Sequence, residues 1–158
     1  MTRVWTSGAE WTSVYEFTHA DNYLGFSSTI KHSGNYSFAL GISDGGEKGV
    51  RQNLSVALDK GYFRVLIYLS GSSGPSARII IWRKDGTEMG YIQLNGTTRK
   101  LEIWVSGSLK DTGTTVLSTG QWYCVECYID IGATGNIIVR LDGTLEVDHS
   151  RVTNDIAS

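Results

Sequence analysis

The residues best equipped for acid–base chemistry in this 158-residue chain are two pairs of carboxylates. Glu126 and Asp130 are four residues apart and share one side of an extended segment, but at about 3.3 Å per residue they stand roughly 13 Å apart. A retaining glycosidase needs its two carboxyl groups about 5 Å apart. Glu146 and Asp148 are two residues apart, with no third carboxylate nearby. These spacings favour solvated carboxylates on strands, and they predict that the chain is not an enzyme.

Two thiols, Cys124 and Cys127, have a Cys-x-x-Cys spacing. That spacing is typical of a redox site at the start of a helix. Here the surrounding residues alternate as in a strand, where positions three apart point to opposite faces, so a disulfide between these two is unfavourable. A zinc site would need two further ligands, which the neighbouring sequence does not supply. We interpret both cysteines as buried free thiols.

The elements that must position these side chains are strands. The chain has 19 glycines and one proline, with abundant β-branched and aromatic residues, a composition that favours sheets joined by turns. Asp85-Gly86, Asn95-Gly96 and Asp142-Gly143 are typical of tight hairpins. The pattern predicts an all-β fold, a two-sheet antiparallel β-sandwich forming a single domain over residues 1–158. The predicted strands span residues 14–17, 36–42, 50–54, 62–69, 77–83, 89–94, 100–105, 121–131, 136–141 and 144–147.

Alternation within the predicted strands separates an aliphatic side from a side that combines aromatic and polar residues. Neighbouring side chains point to opposite faces of a sheet, so the aliphatic side belongs in the core and the other faces outward. Tyr and Trp rings can stack on the apolar faces of sugar rings, and charged or amide groups can bond sugar hydroxyls. We therefore expect one outward ligand-binding face. Its candidate residues are Arg64, Tyr68, Trp82, Tyr91, Gln93, Glu102, Trp104, Glu126 and Tyr128.

Two further interpretations of this face stay open. Tyr, Trp and Arg are also enriched where proteins meet, and aromatic pairs across neighbouring strands also stiffen ordinary sheets. The position of Trp82 is open as well. The run from Ile79 to Trp82 is apolar at every position, so alternation does not assign its face.

Several segments resemble the concanavalin A-like (laminin G-like) jelly-roll superfamily. Residues 118–126, STGQWYCVE, resemble its Gly-x-Trp-(His/Tyr)-x-Val segment, which leads into a long strand. Residues 33–38, SGNYSF, resemble the Ser-Gly-x-Tyr-Ser-Leu strand of jelly-roll carbohydrate-binding modules, and residues 8–10, GAE, are similar to their Gly-Phe-Glu opening. The resemblance implies a jelly roll, and members of that superfamily bind glycans, cleave them, or build surfaces and particles. Together with the aromatic sheet face, it favours a non-catalytic, lectin-like module that binds polysaccharide through that face.

The same resemblance implies a structural calcium ion, whereas no motif requires a cofactor. Glu10 and Asp155 stand at the acidic positions that match those modules, and calcium prefers several oxygen ligands. The tail departs from the family pattern at one point. Asn154 stands where the closing Asp-Asp-Val strand has its first acid.

Charge and hydropathy restrict the partners. The formal net charge is −2, from 14 basic and 16 acidic residues, and the absence of a basic cluster argues against nucleic acid. No apolar run approaches the roughly 20 residues of a membrane span, and the N-terminus lacks the pattern of a signal peptide. We expect an extracellular or virion-surface location. The alternative functions are a self-associating structural protein of a viral particle, such as a phage capsid decoration or tail protein, and a polysaccharide hydrolase or lyase that uses Glu126.

Overall fold

The computed structural model describes residues 19–20, 25–32, 37–39, 50–51, 60–71, 74–130 and 135–150. This part of the chain is all-β, and it contains no helix long and apolar enough to cross a membrane. The strands are β1 (His19–Ala20), β2 (Gly25–Ser27), β3 (Ser37–Ala39), β4 (Val50–Arg51), β5 (Lys60–Tyr68), β6 (Ala77–Lys84), β7 (Thr87–Leu94), β8 (Leu101–Val105), β9 (Ser108–Thr112), β10 (Trp122–Asp130), β11 (Asn136–Leu141) and β12 (Thr144–Ser150).

The chain divides into two compact units, Met1–Ala57 and Leu58–Ser158. In the first unit β1 pairs with β4 and β2 pairs with β3, both antiparallel. β3 and β4 fall within predicted strands, whereas the strand predicted at residues 14–17 lies outside the described residues. The prediction of a single domain over the whole chain stays a prediction.

The described residues of the second unit form two four-stranded antiparallel sheets. The first sheet has the order β12-β11-β10-β5, and the second has the order β6-β7-β8-β9. Every strand of this unit except β9 was predicted, with small differences at the ends. The predicted all-β, two-sheet antiparallel arrangement is therefore confirmed.

An aliphatic core joins the two sheets of the second unit. Ile92 and Ile103 come from the second sheet, and Val125 and Val139 come from the first; all four are almost completely buried. Along β10 every second residue is buried, as alternation predicts. The inner faces of both sheets therefore meet, and their outer faces are available to present polar and aromatic side chains.

The two cysteines lie on opposite sides of β10. Cys127 belongs to the core, and its burial raises the pKa of the thiol to about 12. Cys124 is on the outer side and only half-buried. The prediction of buried thiols is therefore confirmed for Cys127 and wrong for Cys124. The separation agrees with the geometric reason for expecting no disulfide.

Tight turns set the register of the hairpins. Asp85-Gly86 joins β6 to β7 and Asp142-Gly143 joins β11 to β12, each with positive φ at both residues, as predicted. Ser106-Gly107 makes the same kind of turn between β8 and β9. The sequence prediction missed both this turn and β9.

Asn95-Gly96 does not form a two-residue hairpin. Asn95 instead starts a longer connection from β7 to β8, in which its Oδ1 accepts hydrogen bonds from the backbone N–H groups of Thr97 and Thr98 at 2.9 Å. The backbone N–H of Asn95 donates to the carbonyl of Lys100 and closes the loop. An asparagine side chain that caps its own turn explains the difference.

Candidate functional site

The predicted ligand-binding residues occupy the outer faces of both sheets, so they do not form one surface. The two outer faces point in opposite directions because the sheets pack through their inner faces. Alternation shows which residues of one strand share a side, but not which strands share a sheet. We define the β5–β10 face as Tyr62, Arg64, Leu66, Tyr68, Trp122, Cys124, Glu126 and Tyr128, and the β7–β8 face as Tyr91, Gln93, Glu102 and Trp104.

Aromatic pairs lie at both ends of the β5–β10 face. Tyr62 stands opposite Tyr128, with ring centroids 4.7 Å apart and planes tilted by 41°. Tyr68 stands opposite Trp122, with centroids 5.4 Å apart and a tilt of 55°. Tyr62 is 64% exposed. One end of the face therefore presents an aromatic ring largely to solvent.

Between the aromatic pairs lies an ion pair. Arg64 donates to Oε1 of Glu126 from Nε at 2.8 Å and also from Nη2. The side chain of Arg64 is 70% exposed. Its hydrogen bond to Glu126, and then the charge of that carboxylate, raises the pKa of Arg64 above its usual value. An exposed pair of this kind contributes little to stability, so its polar atoms remain available to a ligand.

A second ion pair lies beside the Tyr62–Tyr128 end. Lys60 Nζ is 3.6 Å from Oδ2 of Asp130, and the hydroxyl of Tyr128 donates to the same oxygen at 3.3 Å. Desolvation, followed by the charge of Asp130, raises the pKa of Tyr128. Both carboxylates predicted on β10 are thus paired with cations, each with a different one.

The β7–β8 face is organised around Glu102, which is only 6% exposed. Its Oε2 accepts hydrogen bonds from Gln93 Nε2 at 2.6 Å and from Trp104 Nε1 at 3.0 Å. Its Oε1 accepts one from Asn95 Nδ2 at 2.7 Å. Burial alone would raise the pKa of Glu102, but the three hydrogen bonds lower it below its usual value. Glu102 is therefore a buried, ionised acceptor with three donors.

The tyrosine ring of this face is covered as well. Tyr91 is 8% exposed and stacks on Trp104, with centroids 5.8 Å apart and an interplanar angle of 12°. The guanidinium carbon of Arg78 lies 4.1 Å from the centroid of Tyr91. Arg78 also donates to Glu88 at 2.9 Å, which holds it across the ring. The Tyr91 ring is thus in contact with both Trp104 and Arg78.

Trp82 lies on neither outer face. It is partly buried against the core. A Cβ added to Gly90, its partner on β7, would collide with the Trp82 ring, so the ring occupies the space that glycine leaves. The pairing of β6 with β7 is irregular next to Trp82. The candidate that alternation did not assign is therefore a packing residue.

An irregularity in β12 places Glu146 and Asp148 in different environments. The register of β11 against β12 shifts so that Glu146 is the extra residue of β12. Glu146 is buried, and it accepts hydrogen bonds from the backbone N–H of Thr115 at 2.6 Å and from its hydroxyl at 2.9 Å. Asp148 is exposed. The interpretation of Glu146 and Asp148 as a solvated pair is wrong, because Glu146 anchors a loop.

The predicted calcium ligands Glu10 and Asp155 lie outside the described residues. Within the described ranges, no group of three or more His, Cys, Asp or Glu side chains is placed to hold a metal ion. The calcium site therefore stays a prediction.

Two residues of the β5–β10 face were missing from the predicted set. Tyr62 has the same alternation phase as Tyr68, and Trp122 has the same phase as Tyr128. The alternation of side chains along each strand was therefore enough to include both residues in the predicted ligand-binding set. They become important only once the register shows that each faces an aromatic partner across the strand pair.

Comparison of the chain with protein-family models, with curated proteins and with solved structures finds no match in any of the three. Function has to be argued from the geometry of the two faces. The difference in exposure between them is the most informative part of that geometry.

Proposed function

We propose that this chain is a non-catalytic, lectin-like module that binds polysaccharide through the β5–β10 face. The observation that carries the proposal is the pairing of aromatic rings at both ends of an open sheet face, with an exposed ion pair between them. Aromatic rings offer apolar area to the C–H faces of sugars. Arg64 and Glu126 offer donors and acceptors to hydroxyl groups. The resemblance to jelly-roll carbohydrate-binding modules supports the same function.

The β7–β8 face is a poor candidate for the same role. Glu102 already accepts three hydrogen bonds, and one of its donors is the indole N–H of Trp104. A ligand would have to displace these bonds and the Arg78 guanidinium before reaching Tyr91. Leaving buried polar groups without partners is unfavourable. This face therefore stabilises the second sheet.

Affinity electrophoresis tests the proposal. The protein migrates through gels that contain one polysaccharide each, neutral or acidic, and Trp122→Ala is compared with Trp104→Phe as the control from the opposite face. We expect Trp122→Ala to weaken retardation about fivefold or more, since a single aromatic contact contributes about 1 kcal/mol. The control should migrate like the wild type. Retardation by none of the polysaccharides would refute the proposal.

The structural-protein alternative rests on a specific feature of the same face. Leu66 is 39% exposed between the aromatic pairs, and such a mixture of apolar, aromatic and Arg side chains also fits a protein interface. Light scattering over a range of concentrations distinguishes the two functions. Self-association that Tyr62→Ala abolishes would favour the assembly function. A monomer that polysaccharide retards would favour glycan binding.

The proposed module takes a structural calcium ion at Glu10 and Asp155. Calcium adds oxygen–metal bonds to the folded state alone, so EDTA should lower Tm and added calcium should restore it. Glu10→Gln should make Tm insensitive to both. An unchanged Tm of the wild type in EDTA would argue against the ion.

A further inference from the structure

The β5–β10 face has an internal spacing that restricts its ligand. Antiparallel pairing arranges its residues in four successive rows: Tyr62 with Tyr128, Arg64 with Glu126, Leu66 with Cys124, and Tyr68 with Trp122. Tyr62 and Tyr68 are six residues apart on one strand, so the two aromatic pairs lie about 20 Å apart at 3.3 Å per residue. A single sugar ring cannot contact both pairs.

The charges on this face balance. Arg64 pairs with Glu126, and Lys60 pairs with Asp130. A carboxylated or sulfated ligand would have to compete with these carboxylates for their cations. Across the described strands of the first sheet, the outward charged side chains are three cations, Lys60, Arg64 and Arg140, and three carboxylates, Glu126, Asp130 and Asp148. The face has no excess positive charge to attract an anion.

The ends of the face differ in how they hold a ring. Tyr62 is well exposed, whereas Tyr68, Trp122 and Tyr128 are half-buried and fixed by neighbours. Half-buried rings on strands lose little freedom when a ligand arrives, so each pair supplies at least one preorganised ring. Two preorganised contacts on one rigid strand pair favour a ligand that reaches both, because the second contact is then intramolecular.

We infer that the ligand is an uncharged, unbranched glycan that runs along β5 and β10 and contacts both aromatic pairs at once. The row that contains Leu66 and Cys124 lies beneath the middle of the bound glycan. Short oligosaccharides reach only one pair and bind weakly. The inference rests on the proposed function and adds the length and charge of its ligand.

A ladder of oligosaccharides tests the length requirement. The probes are size-fractionated oligomers, from the disaccharide upward, of the neutral polysaccharide that most retards the wild-type protein, measured by calorimetry. We expect affinity to rise about tenfold or more once the oligomer spans both pairs. Tyr62→Ala and Trp122→Ala should each remove that rise, so that long oligomers bind the variant no more tightly than short ones do. Tyr68→Ala serves at the second end if Trp122→Ala does not fold.

The thiol of Cys124 reports occupancy of the middle of the face. Desolvation raises the pKa of both thiols, but Cys127 is buried in the core and Cys124 is partly exposed, so a thiol reagent applied to the folded protein should modify Cys124 alone. Long oligomers should slow this modification and the disaccharide should not. A Cys124→Ala protein should take up no reagent, which would confirm that the modification occurs at Cys124.

The possible failures are distinguishable. If no polysaccharide, neutral or acidic, retards the protein, the proposed function and the inference both fail. If the disaccharide binds as tightly as the long oligomers, or if Tyr62→Ala leaves the affinity for long oligomers unchanged, the function stands and the length requirement is wrong. Stronger retardation by a sulfated or uronic acid polysaccharide than by neutral ones would overturn the uncharged part of the inference.

Discussion

The β5–β10 face and the β7–β8 face contain nearly the same side chains, yet they differ in what those side chains contact. Each has a tryptophan, at least one tyrosine, a glutamate and an arginine close by. On the β7–β8 face the glutamate is buried under three donors and the tyrosine is covered by arginine. On the β5–β10 face arginine and glutamate pair in solvent, and the rings pair with one another at the ends.

This difference shows that the spacing of these residues and the pairing of their strands, rather than the residue types, decide which face is open to solvent. Glu102 and Trp104 are two residues apart on the same side of β8, so the indole N–H reaches the carboxylate of its own strand. Glu126 and Trp122 are four apart, and the nearest cation to Glu126 is Arg64 on the opposite strand. The same residue types therefore form a buried cluster in one sheet and separated contacts in the other.

The largest expected effect comes from removing the acceptor of the closed face. Glu102→Ala leaves three half-buried donors without their shared acceptor and should lower the free energy of unfolding by about 3 kcal/mol. Urea unfolding followed by tryptophan fluorescence measures it. Polysaccharide retardation of the folded variant should equal that of the wild type. A loss of retardation without a loss of stability would reverse the roles assigned to the two faces.

An intermediate effect is expected in acid. The pKa of Glu102 is lowered in the folded state, so its contribution is fully present above the usual value of 4.5 and is lost as the pH falls through the folded pKa. Glu102→Gln should therefore flatten the dependence of unfolding free energy on pH below 4.5, and should also lower stability at neutral pH, because an amide presents a donor where Asn95 already donates. Unfolding curves at a series of pH values measure both. If the unfolding free energy of Glu102→Gln falls below pH 4.5 as steeply as that of the wild type, Glu102 is not the source of the acid dependence.

The smallest effect is expected at the matched carboxylate of the open face. Glu126→Ala breaks an exposed ion pair and should lower the free energy of unfolding by less than about 1 kcal/mol. The same urea experiment compares it directly with Glu102→Ala. A loss as large as that of Glu102→Ala would show that the β5–β10 face is also a structural cluster.

Most of the second unit could be predicted because its signals are local. Alternation along β10 identified the buried residues, and Asp85-Gly86 and Asp142-Gly143 identified two hairpins. Strand β9 escaped prediction because its polar sequence, SLKDT, has no aliphatic side to alternate. The bulge at Glu146 escaped for a similar reason, since one extra residue in a strand leaves no mark in the alternation before the register is known.

The candidate site was harder to predict because it depends on which strands become neighbours. Arg64 and Glu126 are far apart in the chain, and nothing local joins them. Tyr91 and Trp104, in contrast, belong to consecutive strands, and their pairing was within reach of the sequence pattern. The prediction of one ligand-binding face was wrong, because the β5–β10 face and the β7–β8 face lie on the outer sides of two different sheets.

Chain connectivity predicts that the two sheets form at different times during folding. Strands β6 to β9 follow one another and pair with their neighbours in sequence, through short connections. Pairing β5 with β10 must first close a loop over residues 69–121, which slows assembly. During synthesis, a chain that has just reached Gly120 already contains the whole β7–β8 face but only half of the β5–β10 face. We therefore expect a nascent chain to bury its Glu102 cluster first and to become able to bind glycan only after β10 has been made.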